Sequence, residues 1–168
     1  EPFLGGAYAA YGALSQRRGK VKVAGGEASH NFHMAQHLID YGKVSFIQID
    51  CGRIGGLAPA KRVADYAVAH GVTYVNHTFT SHLALCASLQ PYAGLKDHVI
   101  CEYPFAPKPV AWDMSETHLE PDANGEVRVP DAPGLGIAMS KSGIRKYLVD
   151  VEIRAKGMLL YRTPDPLA

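Results

Sequence analysis

The chain has 168 residues, 47% of them apolar and 20% charged, enough for one domain with a sizeable core. Its net charge of +1 at pH 7 gives no excess pointing to nucleic acid or an anionic membrane as a partner. No apolar run reaches the roughly 20 residues that span a bilayer and no secretory segment opens the chain, so a cytoplasmic location is expected.

Three scattered cysteines, Cys51, Cys86 and Cys101, argue against a disulfide framework or a zinc ribbon. The chain opens on Glu1-Pro2 without a methionine. It is therefore expected to begin inside a longer protein.

In chain order, a helix is predicted over residues 4–16 and a first strand over 21–24. Residues 32–41 follow with Phe32, Ala35, Leu38 and Ile39 at helical spacing. A second strand is predicted over 44–49. Residues 57–70 carry Ala60, Val63, Ala64, Ala67 and Val68 as an apolar stripe, closed by Gly71. A third strand is predicted over 72–76, a helix over 81–89 and a fourth strand over 98–101.

Strands alternating with helices imply right-handed βαβ units and a parallel sheet. The units recur about every 26 residues, and eight of them need roughly 200 residues, the lower bound for a (β/α)8 barrel. The expected fold is therefore α/β, the C-terminal half of a TIM-type barrel. A doubly wound sheet is the alternative, but Gly52-Arg53-Ile54-Gly55-Gly56 fits a phosphate-binding turn only loosely.

The pattern changes after residue 103. Residues 104–133 hold six prolines without a helical period, which predicts an ordered loop or a short hairpin around Asn124-Gly125. Residues 147–161 alternate as two strands turning at Lys156-Gly157. The expected division is a half-barrel over 1–103 and a β-rich C-terminal tail over 104–168.

The chemistry-bearing residues follow the strands. The four runs end at Gly25-Gly26-Glu27, Asp50, His77 and Glu102. Side chains at the C-terminal ends of parallel strands converge on one mouth, where the catalytic residues of such barrels lie. Each has an ordinary alternative: Asp50 as a helix N-cap, His77 as a satisfied core histidine, Glu102 as a solvated loop end. Four ionisable groups at equivalent places favour a shared site.

Asp50 and His77 would stand on neighbouring strands, so that the carboxylate fixes the tautomer and raises the basicity of the imidazole. Glu27, after two glycines, suits a hard divalent cation such as Mg2+. Glu102 would orient a substrate oxygen. Such a set fits proton abstraction beside a substrate carboxylate. His30-x-x-His33 lacks the further ligands that zinc would need. His82, Cys51, Tyr147 and Tyr161 read as packing residues.

Gly26-Glu27, Asp50-x-x-Arg53-Ile54-Gly55-Gly56, His77, Glu102 and Pro133-Gly134-Leu135-Gly136 together resemble the mandelate racemase subgroup of the enolase superfamily. The resemblance implies a His77–Asp50 catalytic dyad and Glu27 as one of three carboxylate ligands to Mg2+. It also implies Glu102 as a polar partner of substrate, with an enediolate intermediate. The other two ligands would end earlier strands, with Glu1 the second, non-ligating glutamate of a Glu-Glu-Pro motif.

His30 and Asn31 resemble a Gly-Glu-x-x-His-Asn arrangement of sugar-acid dehydratases. They become candidate substrate contacts, against the alternative of an Asn31 helix cap. Arg53 would pair with the substrate carboxylate or, structurally, with Asp50. The implied activity is dehydration of an aldonate or aldarate, a small-molecule substrate, in a full-length homo-oligomer. A racemase or epimerase on the same scaffold, or a truncated and inactive piece, are the alternatives.

Overall fold

The computed structural model describes residues 1–97 and 99–165. A first helix, α1 (Tyr8–Arg17), precedes three strand–helix units. These comprise β1 (Ala24–Gly25), α2 (Phe32–Asp40), β2 (Phe46–Ile49), α3 (Cys51–Ile54), α4 (Leu57–Ala69), β3 (Thr73–Asn76) and α5 (His82–Leu89). The strands are parallel and ordered β1-β2-β3, with Ala24 opposite Phe46 and Ile49 opposite Asn76. The fold is α/β, as the strand–helix alternation implies.

The core forms where the stripes of α2 and α4 meet the sheet. Ala35, Leu38 and Ile39 of α2, Ile47 and Ile49 of β2, Ala60, Val63, Ala64 and Ala67 of α4, and Tyr74 of β3 are all buried in one cluster. Fully burying an Ile or Leu contributes about 1.5–3 kcal/mol, so this cluster is the main source of stability. The small residues of α4 let that helix lie close to the sheet. Val68, assigned to the stripe by spacing, is 46% exposed: it falls at the edge of the helix face that the sheet covers.

Helix starts are capped as their sequences suggest. Asn31 Oδ1 accepts the Met34 N–H at 3.0 Å, and Ser81 Oγ accepts the Ala84 N–H at 3.2 Å. Gly71, one residue past the C-cap of α4, has φ +67°, the left-handed turn that ends many helices.

Among the described residues the fourth expected strand does not form. His98 lies outside the described residues, and residues 99–101 are irregular, with Val99 90% exposed. The reason is visible in the hydrogen bonding. The Ile100 carbonyl accepts the Tyr92 hydroxyl, and the Glu102 N–H and C=O bond to the Asn76 side chain. Side chains hold this segment, where a ladder with β3 was expected.

The region after residue 103 also departs from expectation, by containing two helices, α6 (Pro109–Asp113) and α7 (Lys141–Tyr147). Pro109 occupies the first turn of α6, where a missing N–H costs nothing, so one of the prolines that argued for a loop in fact starts a helix. Ser140 Oγ caps α7 through the Gly143 N–H at 3.1 Å. Asn124-Gly125 does form a turn, with Asp122 Oδ1 accepting the N–H groups of Asn124 and Glu126, but no strands flank it.

The chain closes in an antiparallel pair, β4 (Glu152–Ala155) and β5 (Met158–Arg162), turning at Lys156-Gly157 as the alternation predicts. Leu119, Val127, Leu135 and Ile137 pack with Leu85, Cys86 and Leu89 of α5 in a second, smaller cluster.

Candidate active site

The register of the parallel sheet sets the site. Ile49 stands opposite Asn76 and its carbonyl accepts the His77 N–H at 3.0 Å, so Asp50 and His77 leave the sheet side by side. His77 Nδ1 lies 3.0 Å from Asp50 Oδ2. A carboxylate in this position only accepts, so it places the proton on Nδ1 and leaves Nε2 as the basic nitrogen.

The other oxygen of Asp50 is also engaged. Oδ1 accepts the N–H groups of Gly52 at 2.8 Å and Arg53 at 3.1 Å, capping α3. Asp50 thus makes both the N-cap contacts and the contact to His77, one per oxygen. The cap anchors the carboxylate to backbone and fixes the plane in which it meets His77.

Glu27 reaches the same mouth from β1 by way of Gly26, whose φ of +128° is open only to glycine. A Cβ there would also fall 2.7 Å from the Gln48 carbonyl oxygen. Glu27 Oε2 comes to 2.8 Å from His77 Nε2, off the axis of a directed hydrogen bond. Arg53 Nη1 donates to Glu27 Oε1 at 3.1 Å and to the Glu27 carbonyl at 3.2 Å. The guanidinium of Arg53 thus pairs with Glu27, where Asp50 was the expected structural partner; only the Arg53 backbone N–H reaches Asp50.

Glu1 joins the margin of the site, its carboxylate accepting the Gly26 N–H. His77 is 1% exposed and stacks edge-on to Phe79, with ring centroids 4.9 Å apart. A cleft of about 450 Å3 borders the dyad, with Asp50, Arg53, His77, Thr78, Phe79 and Thr80 in its wall.

Glu102 closes the set from the irregular segment after α5, accepting the Gln48 amide on Oε2 at 3.2 Å. Burial raises its carboxyl above the ordinary range, with further upward contributions from Glu27 and Asp50. The charge of His77 and the Gln48 hydrogen bond oppose the rise. Gln48 was not read from the sequence. Its place two residues before Asp50, on the same face of β2 by strand alternation, was the available signal.

The remaining candidates divide. Asn31 spends its side-chain oxygen on the α2 cap, and His30 is exposed beside it. Cys51 is buried, and burial with the neighbouring Asp50 pushes its thiol up to about 11, which makes it an unreactive packing residue. His33 contacts Gln36 within α2.

Among the described residues no three His, Cys, Asp or Glu side chains could hold a metal ion. Glu27, the expected Mg2+ ligand, faces Arg53 and His77. These residues do not by themselves build a magnesium site.

Among the described residues, no helix is long and apolar enough to cross a membrane. The family model for the enolase C-terminal domain-like fold matches residues 1–143. The chain is 28% identical over 137 residues to the D-galactarolactone cycloisomerase of Agrobacterium fabrum, covering 76% of this chain and 35% of the relative.

It is 26% identical over 133 residues to the D-xylonate dehydratase of Haloferax volcanii, covering 77% of this chain and 31% of the relative. A crystal structure described as a predicted mandelate racemase from Rhodobacter sphaeroides aligns with 65% identity and a TM-score of 0.91. That alignment covers 98% of this chain and 42% of the other. The chain thus spans about a third of the length of the curated relatives. Fold, strand-end carboxylates and matched sequence agree: the chain belongs to the enolase C-terminal domain-like family, among the mandelate racemase-type members of the enolase superfamily.

Proposed function

We propose that the full-length protein carrying this chain is a sugar-acid dehydratase, acting on an aldonate or aldarate. The observation that carries the reading is the His77–Asp50 pair at 3.0 Å, set at adjacent strand ends with Glu27 and Glu102 at the same mouth. Relatives named as sugar-acid dehydratases support the substrate class.

In this reading His77 Nε2 removes the proton α to the substrate carboxylate. The C–H electron pair moves into the carboxylate as an enediolate. Collapse of the enediolate expels the β-hydroxyl, which takes the proton from His77 and leaves as water. The enol that remains tautomerises to a 2-keto-3-deoxy acid. Asp50 holds the imidazole in the tautomer that keeps Nε2 available and stabilises the cation formed on proton uptake. Glu102, at the same mouth, orients a substrate oxygen that gains charge.

Mg2+, which family membership implies, would supply electrophilic stabilisation of that charge. Glu27 is the ligand this chain would offer. Because one ligand is not a site, the 168-residue chain alone is expected to be inactive.

The test is α-proton exchange and product analysis in D2O with the full-length protein and a panel of sugar acids. His77→Asn is expected to abolish exchange; exchange at the native rate would overturn the role given to His77. The racemase alternative is favoured by the description of the 65%-identical structure. Product composition separates the two, since dehydration loses one water and racemisation loses none.

A further inference from the structure

Asn76 is the last residue of β3, fully buried, with both protons of its amide donated and its oxygen accepting. Nδ2 donates to Ser88 Oγ and to the Glu102 carbonyl, each at 3.1 Å. Oδ1 accepts the Glu102 N–H at 3.0 Å and lies 3.2 Å from the Tyr92 hydroxyl. That hydroxyl accepts the Asn76 N–H at 2.8 Å and donates to the Ile100 carbonyl.

The Asn76 amide therefore pairs with both the N–H and the C=O of a single residue, Glu102. Two strands do this with backbone groups. Here residues 99–101 form no strand, and a side chain does the work of the ladder.

We propose that Asn76, braced by Tyr92, is a positioning residue that sets the Glu102 carboxylate in the mouth of the site. The proposal rests on the role given to Glu102 above. It explains why an amide stands fully buried at the end of β3, where an apolar side chain would be the ordinary choice. The Asn76 amide makes no hydrogen bond to His77 or Asp50; its side-chain contacts are with Ser88, Tyr92 and Glu102. Ser88 is an internal control, because its bond to Asn76 is equally buried and does not involve Glu102.

The experiment compares Asn76→Ala, Tyr92→Phe and Ser88→Ala in the full-length protein by hydrogen exchange at the Glu102 amide and by steady-state kinetics. Asn76→Ala is expected to speed exchange at Glu102 about 100-fold through local opening. It should lower kcat about 100-fold with KM within about threefold, as misplacement of a working group by about 1 Å does.

Tyr92→Phe, which keeps the ring and loses the brace, is expected to move both readings in the same direction by about tenfold. It serves as the test if Asn76→Ala does not fold. Ser88→Ala should leave both within about threefold. Unchanged exchange at Glu102 in the Asn76 or Tyr92 variant overturns the proposal, as does a fall in kcat in Ser88→Ala equal to that in Asn76→Ala. A native protein that exchanges no α-proton on any sugar acid overturns the dehydratase reading, and the amide-exchange comparison then decides the placement of Glu102 independently.

Discussion

The parallel-sheet region and the region after residue 103 use apolar residues of similar type with opposite results. In the first, Leu38, Ile47 and Tyr74 are completely buried. In the second, Ile153, Leu159, Leu160 and Tyr161 sit on a two-stranded pair in which every residue is exposed, and α7 buries none of its residues. A hairpin has two faces and needs a partner for either to be dry, whereas strands flanked by their own crossover helices come with partners supplied. Alternation predicted the strands in both regions, and the presence of a covering layer determined whether they became core.

The largest expected effect sharpens the contrast at the chemical end of the sheet. Asp50→Asn should lower α-proton exchange in the full-length protein by roughly 10^3- to 10^4-fold, through loss of tautomer control. Its thermal stability should stay within about 0.5 kcal/mol, because Asn caps a helix as well as Asp does. Parallel losses in rate and stability would mean that cap and dyad are not separable.

Next comes the comparison of the two regions in denaturant unfolding of this chain. Ile47→Ala should cost about 2–5 kcal/mol as a core truncation, and Ile153→Ala no more than about 0.5 kcal/mol. Equal losses would break the contrast.

The smallest effect is a pH dependence. The folded state holds the Glu102 proton more tightly than the unfolded state, since burial raises its carboxyl. The corresponding stability is fully present below the ordinary glutamate value and is lost as pH rises through the raised folded value. Glu102→Gln should flatten the stability–pH curve in that window, and an unchanged slope would remove Glu102 as its source.

The helices α2, α4 and α5 and the strands β2 and β3 were readable because apolar runs, hydrophobic period and caps agreed there; the first strand, expected over 21–24, lies instead at Ala24–Gly25, with Val21 exposed. The placement of Asp50 beside His77 was readable for the same reason, since strand ends of neighbouring parallel strands come out together. What sequence did not reveal depends on contacts between distant residues. Val99, Ile100 and Cys101 have strand composition, yet Asn76 and Tyr92 take the backbone groups that a ladder would need.

Pro109 and Ser140 are helix-start residues that were masked by the prolines and glycines around them. The Glu27–Arg53 pair joins residues 26 positions apart, and neither residue's neighbours announce the other.

The order of the strands has one more consequence, for how the chain comes to be folded. β1, β2 and β3 lie in the sheet in the order in which they are synthesised. Each new strand leaving the ribosome finds its partner already displayed as an open edge, and none has to insert between two strands already paired. Assembly can proceed by successive addition, one strand–helix unit at a time. The same order makes a pause in translation hazardous at a definite stage: a chain halted when β2 has left the ribosome and β3 has not would present β2 with its outer row of N–H and C=O groups unpaired, a template for any other extended segment nearby.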